Sequence, residues 1–230
     1  MSLRSHEAFI VDFDRLEDLV SLILAPVAEF QAAMDFHGLS ISSEIIKVRL
    51  PPDAVGGRME LERAVKERRS IRAYTSKDVP QKLIDEALEL AGWAPSAGNL
   101  QSRDFVVVRS RKTKEGLAIA ALGQDFIAEA PVVIVAVANL DRVTSYGDRG
   151  RDLYAIQDAA AAVQNLLLAL QERGLGSVWV GAFNEREASR VLGLPNSARP
   201  VTIIPVGYPA EHPEPRDHLP PEEYVHLEKW

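Results

Sequence analysis

Four short segments carry residues whose types and spacing suit chemistry. In ERRSIRAY (67–74), Arg68, Arg69 and Arg72 fall within five residues around Ser70. Guanidiniums grip phosphate through paired N–H groups, and a hydroxyl adds a neutral donor, so this cluster suits a phosphorylated ligand. The plainer alternative is a solvated basic helix end that complements the helix dipole. In WAPSAGNLQ (93–101), a run of small and turn-forming residues exposes backbone N–H groups, and Asn99 and Gln101 each offer a donor and an acceptor. Such a loop suits the polar edge of a heteroaromatic ring; the alternative is a helix C-cap with Gly98 at positive φ. In RGLGSVWVGAFN (173–184), the glycines precede a strand instead of joining a strand to a helix, and GxGxxG is absent. That excludes a Rossmann dehydrogenase. From PVGYP (205–209) the chain runs into a proline-rich tail, where Arg216 and His218 are cations able to reach a phosphate or simply to face solvent.

The familiar machinery of side-chain catalysis is missing. The five histidines show no metal-ligand spacing, and there is neither GxSxG nor a Walker loop. With no cysteine, disulfides, thiol nucleophiles, iron–sulfur clusters and cysteine-ligated zinc are all excluded. No catalytic side chain and no metal site is therefore nominated. Grips for a ring and a phosphate without side-chain machinery point to a bound cofactor as the chemist. The formal net charge of −7 argues against nucleic acid as a partner. The first residues have no basic segment leading into an apolar run, and LVSLILAPV (19–27) is too short to span a bilayer. A cytoplasmic protein without membrane association is expected.

These segments need elements to position them. Residues 1–57 carry a net charge of −5 and residues 58–230 a net of −2, with a Pro/Gly-rich seam, LPPDAVGG, at 50–57. An N-terminal helical extension over 1–57, with a helix at about 13–36 kinked at Pro26, thus precedes a main domain over 58–230. In the main domain helices are expected at 58–68, 80–92, 112–121, 124–130, 151–173 and 185–192. Strands are expected at 104–109, from Val132 to Ala138, at 177–180 and at 201–207. The pattern gives an α+β sandwich. The helix at 151–173 is apolar over most of its girth, with a narrow polar stripe of Gln157, Asp158, Gln164, Asn165, Gln171 and Glu172. Either it is the central helix of one chain or it lies in a homodimer interface.

In this order, RRSIR, PSAGNLQ, the Ala/Leu-rich helix, GLGSVWVGAF and PVGYP resemble the nitroreductase family of FMN-dependent oxidoreductases, over about 58–230. The resemblance implies a mixed, mainly antiparallel sheet flanked by helices, and a homodimer with an FMN at each subunit interface. It implies that Arg68, Arg69, Ser70 and Arg72 hold the FMN phosphate and the pyrimidine edge of the ring. Pro95, Ser96, Ala97 and Asn99 would reach the flavin from the other subunit. Trp179, Val180, Gly181 and Ala182 would lie near the ring's N5 face, with Gln124 by its carbonyl edge. The tail departs from the family's pattern: where the family has a second arginine near the phosphate, this chain has His218 beside Arg216. The implied reaction is ping-pong: NAD(P)H reduces the flavin, which then reduces a nitroaromatic, quinone, enone or free flavin. The alternatives are a flavin-binding module without turnover, serving as sensor, store or regulator, and a cofactor-free hydrolytic or structural protein.

Overall fold

VVIVAVAN is apolar at every position but the last because it becomes an inner strand covered on both faces. In the computed structural model, which describes residues 61–230, this run is β2 (Val132–Asn139). It pairs on one side with β1 (Arg103–Val108) and on the other with β4 (Ala198–Gly207), both antiparallel. The short β3 (Gly176–Ser177) completes a four-stranded sheet of order β1-β2-β4-β3. Alternation along β2 splits the core into two layers. Val132, Ile134 and Ala136 face one cluster, with Ile84, Ala87, Ala91, Leu166 and Leu170. Val133, Val135 and Val137 face the other, with Leu117, Ile127 and Ala188.

The helices supply those layers. Helix α1 spans Leu61–Glu67, and α2 spans Gln81–Gly92 and buries Ile84, Ala87 and Ala91. Helices α3 (Arg111–Ala120) and α4 (Phe126–Glu129) cover the second face. Helix α5 (Ala155–Glu172) buries Ala162, Val163, Leu166 and Leu170 against the first, and α6 is Glu185–Leu192. Asn184 caps α6 by accepting from the N–H groups of Arg186 and Glu187.

The α+β sandwich and its antiparallel sheet match the expected fold class. Three local expectations change. The strand at 177–180 shrinks to β3 and a single bridge between Val180 and Ile203. In register, the next hydrogen-bonded partner along β4 would be Pro205, which has no N–H to give. The helix expected from 151 has α geometry only from Ala155. Before it lie a 3-10 run, Leu140–Tyr146, one α turn, Gly147–Arg149, and a π turn, Gly150–Tyr154. Asp158, placed on the polar stripe, is buried. The expected extension at 1–57, its helix at about 13–36 and the seam at 50–57 lie outside the described residues.

One segment is latched to the sheet edge without being a regular strand. Ser70 bridges Ser177 in parallel, and the Ile71 N–H donates to the Ser177 carbonyl at 3.0 Å. Gly176 permits this contact, since a Cβ there would lie 2.9 Å from the Ile71 side chain. The Tyr74 hydroxyl donates to the Ile71 carbonyl at 2.5 Å and to the Pro205 carbonyl at 3.3 Å. Burial first, then the nearby Glu211 carboxylate, pushes the Tyr74 phenol well above its ordinary pKa.

Gly176→Ala should therefore cost about 1–3 kcal/mol, as overpacked sites do; an unchanged urea midpoint would contradict the contact. Tyr74→Phe should cost about 1 kcal/mol at neutral pH. Because the folded-state pKa of this phenol is raised, its contribution is complete below about pH 10 and is lost as pH climbs further. Urea midpoints between pH 8 and 11 should fall more steeply for the wild type than for Tyr74→Phe; parallel curves would contradict the assignment.

Candidate functional site

The latched segment presents the arginines. The Arg68 N–H still bonds the Ala64 carbonyl, so the last turn of α1 runs directly into it. Its side chain is half-buried, and that burial, with the like charge of Arg69, lowers its pKa. Among the described residues no carboxylate is paired with Arg68 or Arg72. Arg69 differs: its Nη1 donates to the Lys66 and Arg68 carbonyls at 2.7 and 3.0 Å, so it caps α1. Arg69 also lines a cleft of about 310 Å³ with Ile71, Gly176, Glu211 and His212.

Glu211, which the sequence does not single out, also reaches this segment, and it bonds the backbone. Its Oε1 accepts from the Arg72 N–H at 2.5 Å and the Ala73 N–H at 3.0 Å. The Ala210 N–H donates to the Ala73 carbonyl, and the Thr75 N–H to that of Tyr208. With its backbone tied on both sides, residues 70–75 leave the Arg72 side chain exposed. The Arg72 guanidinium lies 5.9 Å from the centroid of the Phe126 ring. Two residues before Phe126, the Gln124 amide donates to the Ala121 carbonyl at 2.8 Å and to the Ala182 carbonyl at 3.1 Å. Arg72, Gln124 and Ala182 are thus gathered at one surface, linked through Phe126. Trp179, Gly181 and Ala182 are exposed there, whereas Val180 is buried and exchanges both backbone hydrogen bonds with Ile203.

The PSAGN loop is built elsewhere in the chain. Ala97–Asn99 forms a 3-10 turn, and Gly98, Asn99 and Gln101 have φ of 54°, 56° and 51°. The Ser96 hydroxyl accepts from the Gln101 N–H. Pro95, Gly98 and Asn99 are exposed, and Ser96 and Ala97 are half-buried. The loop is held by Asp158, three residues into α5, through the Ala97 N–H at 3.0 Å and the Ser102 hydroxyl at 2.6 Å. The arginine segment instead meets β3, beyond the other end of α5. Fourteen residues of helix separate Asp158 from Glu172, about 21 Å at 1.5 Å per residue. The loop also leads into β1 and the arginines flank β3, which are the two sheet edges, about 14 Å apart across three strand spacings. Within one chain the arginine segment and the PSAGN loop are therefore kept apart. Arg216 and His218 lie exposed in the tail. The sequence does not single out Asp158, Arg142, Tyr146 and Phe126 as site residues; for Asp158 the available signal is an acid followed directly by the Ala159–Val163 run of α5.

A model of the nitroreductase family matches residues 65–124 and 115–208, spanning the arginine segment and the PSAGN loop. A Thermus thermophilus protein named NADH dehydrogenase is 39% identical, over 73% of this chain and 95% of that protein. A Bacillus subtilis FMN reductase (NAD(P)H) is 29% identical over 74% of each. The solved structure of nitroreductase A from Vibrio parahaemolyticus superposes with a TM-score of 0.69 at 26% identity, covering 74% of this chain and 75% of that one. Since the match takes in the arginine segment, the PSAGN loop and the helix between them, and the identity to a relative of nearly the same domain length is high, the chain belongs to the nitroreductase family.

Proposed function

We propose that this NAD(P)H-dependent oxidoreductase binds FMN and passes reducing equivalents to an organic acceptor. The observation that carries the reading is the pair of guanidiniums, Arg68 and Arg72, left without carboxylate partners among the described residues on a segment whose backbone is tied down. Burying a cation without a counter-charge is unfavourable, so the half-buried Arg68 creates a demand for an anion. The donor set fits FMN: two guanidiniums and the Ser70 hydroxyl suit a phosphate and an electron-accepting ring edge.

Bound FMN would supply the two-electron carrier between NAD(P)H and a nitroaromatic, quinone, enone or free flavin, in alternating half-reactions. The chain's own residues do the rest. Arg68 and Ser70 bind the phosphate, and Arg69 supports them by closing the end of α1. Arg72 holds the pyrimidine edge, where a fixed cation stabilises negative charge. Gln124 and the stretch Trp179–Ala182 orient the ring from the side, with Gln124 bracing the Ala182 carbonyl. Arg216 and His218, on the exposed tail, supply the remaining cations for the phosphate.

A homodimer completes the site. The separation of the half-sites within one chain supports this, since a second copy related by a two-fold axis can bring its Pro95, Ser96, Ala97 and Asn99 to the first copy's arginines. This choice also assigns the apolar girth of α5 to both roles, core and subunit contact.

The purified protein should be yellow, bleach with NADH or NADPH, and recover colour when a quinone is added. A yellow protein that does not bleach would favour a non-turnover flavin module, and a colourless one that takes up no FMN would overturn the reading. Arg72→Ala should weaken FMN binding at least tenfold and lower the flavin midpoint potential, by about 30 mV for each tenfold weakening of the reduced form relative to the oxidised. Arg68→Ala should weaken FMN binding with little change in potential. An unchanged potential in Arg72→Ala would contradict its role at the ring.

A further inference from the structure

The turn at 96–101 holds three residues in left-handed backbone conformations, two of them non-glycine: Asn99 and Gln101 at φ 56° and 51°. Such geometry persists only where the surroundings over-determine it. Here the surroundings are two opposite charges working from two sides. Asp158, 4% exposed, takes N–H and O–H donors at the entry and exit of the turn. Its Oδ1 accepts from the Ala97 N–H at 3.0 Å, and its Oδ2 from the Ser102 hydroxyl at 2.6 Å and the Ser102 N–H at 3.4 Å. Arg142, from the 3-10 run after β2, takes the carbonyls. Its Nη1 donates to the Gln101 and Arg103 carbonyls at 2.7 and 3.1 Å, and its Nη2 to Asp104 at 2.7 Å. The third side is closed by Tyr146, whose hydroxyl lies 2.6 Å from where a Cβ on Gly98 would be.

We propose that Asp158 and Arg142 form a two-sided clamp that positions the loop Pro95–Asn99 for contact with the flavin ring of the partner copy. This rests on the function proposed above. The division of labour is chemical. A carboxylate only accepts and a guanidinium only donates, so the anion fixes the amide direction at Ala97 and Ser102 while the cation fixes the carbonyl direction at Gln101 and Arg103. Together they set which way the peptide groups of the turn point. That leaves the Asn99 side chain, exposed and outside the clamp, to present its amide outward. Neither residue touches the arginine segment, so both are positioning residues for the ring and not for the phosphate.

The two roles separate by ligand. FMN carries ring and phosphate; lumiflavin is the ring alone. Full-length wild type, Asp158→Asn, Ser102→Ala and Arg142→Met would be titrated with each, alongside Arg68→Ala. Asn at 158 keeps the shape but turns an N–H against donors. Asp158→Asn should weaken FMN and lumiflavin by the same factor, about 10- to 100-fold, and blur the resolved visible bands of the bound flavin. Arg142→Met and Ser102→Ala should shift both flavins in the same direction by smaller factors, and they carry the test if Asp158→Asn does not fold. Arg68→Ala should weaken FMN alone. Hydrogen exchange of the amides at 97–102 in flavin-free protein should quicken in each clamp variant. Wild type that binds flavin, with clamp variants that bind FMN and lumiflavin equally well despite a lowered Tm, would overturn the positioning role while leaving the proposed function standing. Wild type that takes up neither flavin would overturn the proposed function and the positioning role together.

Discussion

A guanidinium brought half out of water without a carboxylate beside it is an incomplete interaction, and the fold does much to keep it so. One acid that reaches this region, Glu211, gives its Oε1 to the backbone N–H groups of Arg72 and Ala73 instead of to either guanidinium. Arg69 turns back on the carbonyls that end α1. What is left, Arg68 beside a like charge and Arg72 over the Phe126 ring, is a pair of cations on a rigid base. Rigidity matters as much as charge. A flexible pair of arginines would lose much of its binding energy to the cost of ordering, whereas the Ser70–Thr75 backbone is already tied to β3 and to the chain beyond β4.

The same economy explains the long helix. An α5 that is apolar nearly all round must be covered on several sides. At its N-terminal end one acid, Asp158, is buried but satisfied, and it organises the loop before β1. At its C-terminal end the chain turns through Gly174 at φ 70° into β3, where Gly176 lets Ile71 approach. One rigid element thus sets the spacing between the PSAGN loop and the arginine segment. Under the proposed dimer, a flavin that meets both draws on two chains, so that ligand binding and subunit association would be linked.

Much of this was legible in the sequence. The apolar run of β2, the 3.6-residue periodicity of α2 and α5 and the turn residues at 95–99 name their elements directly, because inner strands and core helices have strong patterns. Helix α6 lies at the bounds expected from the sequence, and its Asn184 cap is visible only in the structure. SVWV was read as a strand because its residues favour one; the interruption comes from Pro205, across the sheet and 25 or more positions away in sequence. The 3-10 and π turns between Leu140 and Tyr154 leave no simple periodicity. Asp158 was assigned to the solvent-facing stripe because heptad spacing reports which side of a helix a residue is on, not whether buried N–H groups wait there for an acceptor. The resemblance groups Arg69 with Arg68 and Arg72, while its hydrogen bonds to the end of α1 depend on where that helix stops, which the sequence pattern does not fix.

The claim on which the account turns is that each flavin is shared between chains, and mixed dimers test it most directly. One chain would carry Arg68→Ala with Arg72→Ala; the other would carry Gly98→Val, which crowds Tyr146 at a position of positive φ. Each homodimer should bind FMN poorly. In the mixed dimer a shared site puts both lesions together and leaves the other site intact, so one tight FMN per two chains is predicted. If each site were built within one chain, every site would carry one lesion, and a mixed dimer with no tight FMN would contradict the account.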